Sequence, residues 1–202
     1  MTQESQTKGE RTRRAVLDAA HSLFIEQGYA ATSMRQIAKK AGLAPASIYN
    51  HFDSKDRMFE AILLERHPFL QIMPILSSTQ GRNMEEFVRG AAHTLVDQLG
   101  HYPDILNLML TEIVEFQGEH VSLLFQKFIP RVMPLIQRLY SLDGNMRDIP
   151  PFVLARAFLG MFFSYYITGA LLGQAMPAEM QANALDHFVD IFLHGVLVKE
   201  TA

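Results

Sequence analysis

Residues 33–52 read SMRQIAKKAGLAPASIYNHF, and they constrain the fold more than any other stretch of the chain. Met34, Ile37, Ala38 and Ala41 recur at helical spacing, with Thr32 and Ser33 where an N-cap belongs. Gly42 ends that helix, because a residue without a Cβ turns left-handed at no steric cost. A second, very short helix is expected over APASIYNHF. Pro45 falls in its first turn, where a missing N–H leaves no bond unmade. Ala38 is small where the second helix must cross the first, and Ile37, Leu43 and Ile48 are apolar where the two must lock together. That is the pattern of a helix-turn-helix.

The flanking sequence is helical too. TRRAVLDAAHSLFIEQG places Ala15, Ala19, Leu23 and Phe24 on one face and stops at Gly28. DSKDRMFEAILLERH opens a further helix, with Asp53 or Ser54 as its cap, and a helix over HPFLQIMPILSS must kink or break at Pro68 and Pro74. Helical patterns resume at MEEFVRGAAHTLVDQLG, PDILNLMLTEIVEF and HVSLLFQKFIPRVMPLIQRLY. After the loop SLDGNMRDIPP, two long helices are expected over about 152–173 and 178–198. No alternating strand pattern and no internal repeat stands out. The chain is therefore expected to be all-α, with about nine helices. Residues 1–55 form a three-helix domain carrying the helix-turn-helix, and residues 56–202 form a second helical domain.

Composition removes several classes of function. The chain has no Cys, which excludes disulfide scaffolds, thiolate metal sites and Cys nucleophiles. MTQESQTKGERTRR has no apolar core, so no secretory signal is expected and the cytoplasm is the default compartment. FVLARAFLGMFFSYYITGALLG is long enough to span a bilayer, but Arg156 and its polar residues favour an interface helix, and no membrane partner is expected. Ser47 and His51 stand four apart, yet no acidic residue is spaced to orient the His, so no catalytic pair and no enzyme is expected. His187, Asp190 and His194 share a helix face without a further firm ligand, so no metal and no cofactor is expected.

Charge is uneven. From Lys8 to Lys55 there are eight basic residues against four acidic ones, whereas residues 61–202 carry nine against fourteen. A basic front on an acidic body suits a polyanion at the front only. The second helix of the pair is slim at its start, with Ala44, Pro45, Ala46 and Ser47, as entry into a major groove requires. Tyr49, His51 and Lys55 are donors placed for phosphate oxygens, and Thr32 and Ser33 are placed to hold a phosphate at a helix N-terminus. Arg35 is the candidate for a forked contact with guanine, and Arg11, Arg13 and Arg14 are candidates for phosphate or minor-groove contact.

Residues from about 10 to 60 resemble the DNA-binding domain of the TetR/AcrR family of bacterial transcriptional regulators. The likeness rests on RTRRAVLDAAHSLFIEQGY, ATSMRQIAKKAGLAPASIYNHF and SKDRMFEAIL. It implies that IYNHF, with Tyr49, Asn50 and His51, contacts the DNA backbone together with Lys55. The chain departs from the family in having Ala44, Pro45 and Ala46 where bulkier polar residues would read bases.

The resemblance further implies that the second domain binds a small molecule and dimerises. Candidate pocket residues are Met73, Phe87, Met109, Glu112, Phe116, Phe125, Phe128, Phe158, Phe162 and Tyr166, an adaptable apolar set. Gly160, Ser164 and Thr168 make a small-residue stripe, and Leu185, Phe188, Phe192 and Val196 an apolar one, suited to a four-helix bundle between two copies. The expected function is a homodimeric repressor, released from a pseudo-palindromic double-stranded operator by a small apolar or amphipathic ligand. The alternatives are a DNA-binding dimer without a small-molecule ligand, or an activator.

Overall fold

The structure, a computed structural model, describes residues 7–142 and 146–197. Among these it is all-helical, with nine helices of seven residues or more and one single turn. In chain order they are α1 (Lys8–Gln27), α2 (Met34–Lys40), α3 (Lys55–Arg66), α4 (Pro68–Ser77), α5 (Met84–Gly100), α6 (Ile105–Glu115), α7 (Val121–Ser141), α8 (Pro151–Leu172), α9 (Ala178–Gln181) and α10 (Ala184–Val196). A 3-10 turn, Ser47–Asn50, stands between α2 and α3. Part of the expected loop at 141–151, namely residues 143–145, and the end of the last expected helix, at 198, lie outside the described residues.

The chain divides into two compact units, residues 1–67 with 104–127 and residues 68–103 with 128–202. This differs from the expected boundary between residues 55 and 56. Lys55 begins α3, and Met58, Phe59, Ile62 and Leu63 of that helix are buried with Leu17, Ala20 and Ile37. The hydrophobic face of α3 thus completes the first core. Residues 104–127 also join this unit, through Leu108 and Phe116.

Within the first unit α1, α2 and α3 each start from a side-chain cap. Thr7 and Glu10 form a capping box on α1, Ser33 and Gln36 form another on α2, and Ser54 accepts from the Arg57 N–H on α3. Gly42, at φ +71°, closes α2: its N–H donates to the Lys39 carbonyl and the Leu43 N–H to that of Ala38. Those two bonds make a Schellman turn, which satisfies two orphan carbonyls and reverses the chain.

The second unit is built on α5, which lies against α4, α8 and α10. Met73, Phe87, Phe158, Phe162 and Phe192 are buried there, and Phe192 packs on Phe158 and Phe162 with ring centroids 5.5 and 6.1 Å away. Arg89 of α5 bonds Asp186 and Asp190 of α10, each at 2.9 Å. Phe192 and Val196, expected on an interface, are therefore core residues, because the apolar stripe of α10 faces its own unit. The long closing helix expected over 178–198 is interrupted as well. Asn183 takes φ +53°, a left-handed conformation that Asn tolerates, and so separates α9 from α10. α8 is long and apolar enough to cross a bilayer by length and composition. Four of its residues, Leu154, Ala155, Phe158 and Phe162, are buried in the unit.

Candidate nucleic-acid interface

The expected second helix of the pair is a tighter object. The Ser47 N–H donates to the Ala44 carbonyl and that of His51 to the Ile48 carbonyl, both spanning three residues, so the segment winds as a 3-10 turn. Pro45 offers no N–H, and the run is too short for an α-helical ladder to extend. Ile48 is wholly buried and Phe52 nearly so, which anchors the turn at both ends. Ala44, Pro45, Ala46, Tyr49 and Asn50 are exposed between and before these anchors, with Ser47 and His51 half-buried. Tyr49 keeps 55 % of its surface exposed. Arg35 is exposed on the first turn of α2.

Two expected phosphate ligands are otherwise occupied. Thr32 is buried, and its hydroxyl bonds the Gly28 carbonyl at 2.8 Å and that of Leu23 at 3.3 Å. It therefore ties the end of α1 to the start of α2. A side chain enclosed in that way cannot hold a phosphate. Lys55 turns inward, donating to the Tyr29 carbonyl at 2.6 Å with its ammonium 4.0 Å from the centre of the Tyr29 ring. Burial pushes that ammonium below the usual lysine range, against the pull of Asp56. Ser33 remains exposed, but its hydroxyl and backbone N–H are both engaged with Gln36 in the capping box.

Tyr29 is the anchor that sequence reasoning missed. Its hydroxyl donates to Asp56, and its ring packs on Phe24, Phe59 and Phe116 at 5.1, 5.7 and 4.9 Å. Burial, then the Asp56 carboxylate, raise the phenol well above its ordinary value. The signal was an aromatic residue directly after the helix-ending Gly28. Lys39 was also passed over. It is exposed in the last turn of α2, whereas its neighbour Lys40 pairs with Glu26 at 2.6 Å. Arg13, a candidate DNA contact, is instead paired with Glu65 and stacked near Phe52.

The candidate pocket residues are shared between the units. Met109, Glu112, Phe116 and Phe125 belong to the first, and the other six to the second. Phe116 stacks on Phe59 with centroids 4.6 Å apart. Glu112 is buried, accepting from the His120 backbone N–H at 2.7 Å and lying 2.9 Å from its Nδ1. Its carboxylate is consumed inside the α6–α7 turn, not displayed at a cavity rim. Phe125 is more than half exposed. Met73, Phe87 and Phe162 fill the second core, while Phe128 and Tyr166 are half-buried. On α8, Gly160, Ser164 and Thr168 are all exposed, and on α10 Leu185 and Phe188 are half-buried. On the face of His187 and His194, Asp190 bonds Arg89, and the His194 Nδ1 lies 2.7 Å from the Asp190 carbonyl.

The arrangement can present a slim backbone and polar tips to a duplex groove, and comparison with known proteins agrees. The family model described as bacterial regulatory proteins, tetR family, matches residues 16–62, which span α1 to α3. An uncharacterized HTH-type transcriptional regulator of Bacillus subtilis (strain 168), YvkB, is 27% identical over 191 residues, covering 92% of this chain and 97% of that protein. A protein of Mesorhizobium loti MAFF303099 assigned to the tetR family superposes with a TM-score of 0.72 at 22% identity, over 96% of this chain and 100% of that one. NalD, the secondary repressor of the MexAB-OprM multidrug efflux pump in Pseudomonas aeruginosa, gives a TM-score of 0.61 at 20% identity, again over 96% and 100%. A capped α2, a Schellman turn at Gly42 and an exposed Tyr49 all lie within residues 16–62, the segment that matches the model of the tetR family of bacterial regulatory proteins.

Proposed function

We propose that the protein is a cytoplasmic, homodimeric repressor that a small apolar or amphipathic ligand releases from a pseudo-palindromic operator. The observation that carries the DNA side is Tyr49, a large aromatic exposed on a turn whose neighbours Ile48 and Phe52 are buried. Its phenol hydroxyl stands free of the core to donate to a phosphate oxygen. Asn50, Arg35, Lys39 and the small residues Ala44 to Ala46 share its unit and are exposed. The dimer is supported by the exposed faces of α8 and α10, where Gly160, Ser164 and Thr168 leave room for close approach and Ile191 is 62 % exposed. The ligand is supported by the Phe- and Met-rich interior of the second unit. Repression follows the example of NalD, which has this fold.

Selection of duplexes from a random library tests the reading. An enriched palindrome is expected, with affinity that falls steeply as salt rises. Tyr49→Ala should weaken binding to all duplexes. Arg35→Ala should relax one base position and cost about 1–3 kcal/mol. The ligand side is tested with a panel of lipophilic compounds titrated with and without the enriched duplex. A releasing compound must bind less tightly to the DNA-bound protein by the same factor that it weakens DNA binding. Equal affinities in the two titrations would remove the switch and leave a DNA-binding dimer.

A further inference from the structure

Arg13 lies in the basic first helix, where charge alone makes it a phosphate contact. The geometry points elsewhere. Its guanidinium is forked onto Glu65 in the last turn of α3, with one nitrogen donating to Oε2 at 3.0 Å and the other to Oε1. Its central carbon stands 5.2 Å from the centre of the Phe52 ring. Phe52 is 7 % exposed and closes the recognition turn, its N–H donating to the Ile48 carbonyl at 3.1 Å. Tyr49, Asn50 and His51 lie between those two residues.

We propose that Arg13 is a positioning residue for the recognition turn: it holds the Phe52 ring from above while Glu65 fixes the guanidinium plane. The proposal rests on the reading that residues 33–52 bind DNA. A ring beneath the cation sets this contact beside, but apart from, the pairs Lys40–Glu26 and Arg66–Asp18, which join α1 to α2 and to α3 as simple ion pairs. A guanidinium gives the carboxylate two parallel N–H bonds while its flat face lies over the ring, a forked geometry that a lysine ammonium does not reproduce. The side chains of Arg13 and Glu65 are each about two-fifths exposed, so the fold does not depend on them as it does on Ile48.

The probes are the duplex that the wild-type chain enriches from a random library and poly(dI-dC) as a sequence-neutral duplex. Four variants of the full chain are compared: Arg13→Gln, Arg13→Lys, Glu65→Gln and Phe52→Leu. Arg13→Gln and Arg13→Lys should both weaken the enriched duplex about five- to tenfold, leave poly(dI-dC) within about twofold, and keep the wild-type salt slope. Glu65→Gln removes a negative charge, so charge alone would tighten both duplexes. Positioning instead requires that it weaken the enriched one. Phe52→Leu keeps an apolar anchor without a ring face and should match Arg13→Lys; it carries the test if an Arg13 variant fails to fold.

A phosphate contact predicts a different pattern. Arg13→Lys would then bind like wild type, and Arg13→Gln would lose about 0.9 from the salt slope. That pattern, or tighter binding by Glu65→Gln, or wild-type affinity in a folded Phe52→Leu, overturns the proposal. Failure of the wild type to enrich any duplex overturns the DNA-binding reading itself, and this inference with it.

Discussion

Residues 7–67 and residues 151–196 solve the problem of helix packing in opposite ways. In the first stretch α1, α2 and α3 each start from a side-chain cap, and Tyr49 is the large apolar residue left exposed. In the second, α8 follows Pro150 and α10 follows Asn183 with no side-chain cap bond, and Phe152, Val153, Leu171, Leu172, Met180 and Ile191 are all exposed. Short helices are marginal alone, so caps and a shared core must define them. α8 and α10 start without such a cap, and their exposed apolar faces call for cover. The first region is complete in one chain. The second is expected to be complete only in two.

The sharpest way to break this comparison is to attack the first core. Phe59 is fully buried, stacked on Phe116 and packed near Phe24 and Tyr29. Phe59→Ala should cost about 3–5 kcal/mol of stability, read by urea unfolding. A loss below about 1 kcal/mol would mean that the first unit lacks a core of its own.

The next effect concerns His67, the last residue of that unit before Pro68. It is 3 % exposed, and burial lowers its pKa from 6.5 to about 4. The unfolded chain therefore takes up a proton first as pH falls. Stability is full above pH ~6.5, declines as the pH drops, and levels off below ~4, a loss of roughly 3 kcal/mol. His67→Leu lacks this titration. Across the same window, the stability difference between the two proteins should move by that amount in favour of the variant, read by thermal melts. Parallel profiles would place the titration elsewhere.

The second region is tested by paired Gly160→Leu and Ser164→Leu substitutions. Both positions are exposed, and an added Cβ at Gly160 meets nothing within 4 Å. The variant should keep its helicity while self-association weakens by about 2 kcal/mol or more, roughly thirtyfold, in sedimentation. An unchanged dimer would show that this face is not the interface. The smallest effect belongs to Gly42→Ala. The site is open, so only the left-handed backbone strain remains, about 1–2 kcal/mol. Its DNA affinity should fall more than its melting temperature suggests, since the turn aims Tyr49.

The helix-turn-helix was legible because its signals are local. Ser33, Gly42, and the spacing of Ile37, Ala38 and Ile48 each act within a few residues, and the structure uses them all. The pocket residues were not legible in the same way. Phe116 and Phe162 look alike in sequence, yet one stacks on Phe59 and the other packs on Phe158 and Phe192. Apolar side chains carry no address, since burial is favourable against any apolar neighbour.

Side-chain direction divided the polar candidates too. Thr32, Lys55 and Arg13 read as phosphate ligands by type and position, but each found a partner beyond its own helix: the Leu23 and Gly28 carbonyls, Tyr29, and Glu65 with Phe52. The sequence by itself determined the helical class, the helix-turn-helix and the sites of its turns, because hydrogen bonds and sterics within a few residues set these. Only the tertiary structure decided which cations and hydroxyls remain for DNA, because such partners lie up to 52 residues away along the chain and meet only when the core closes.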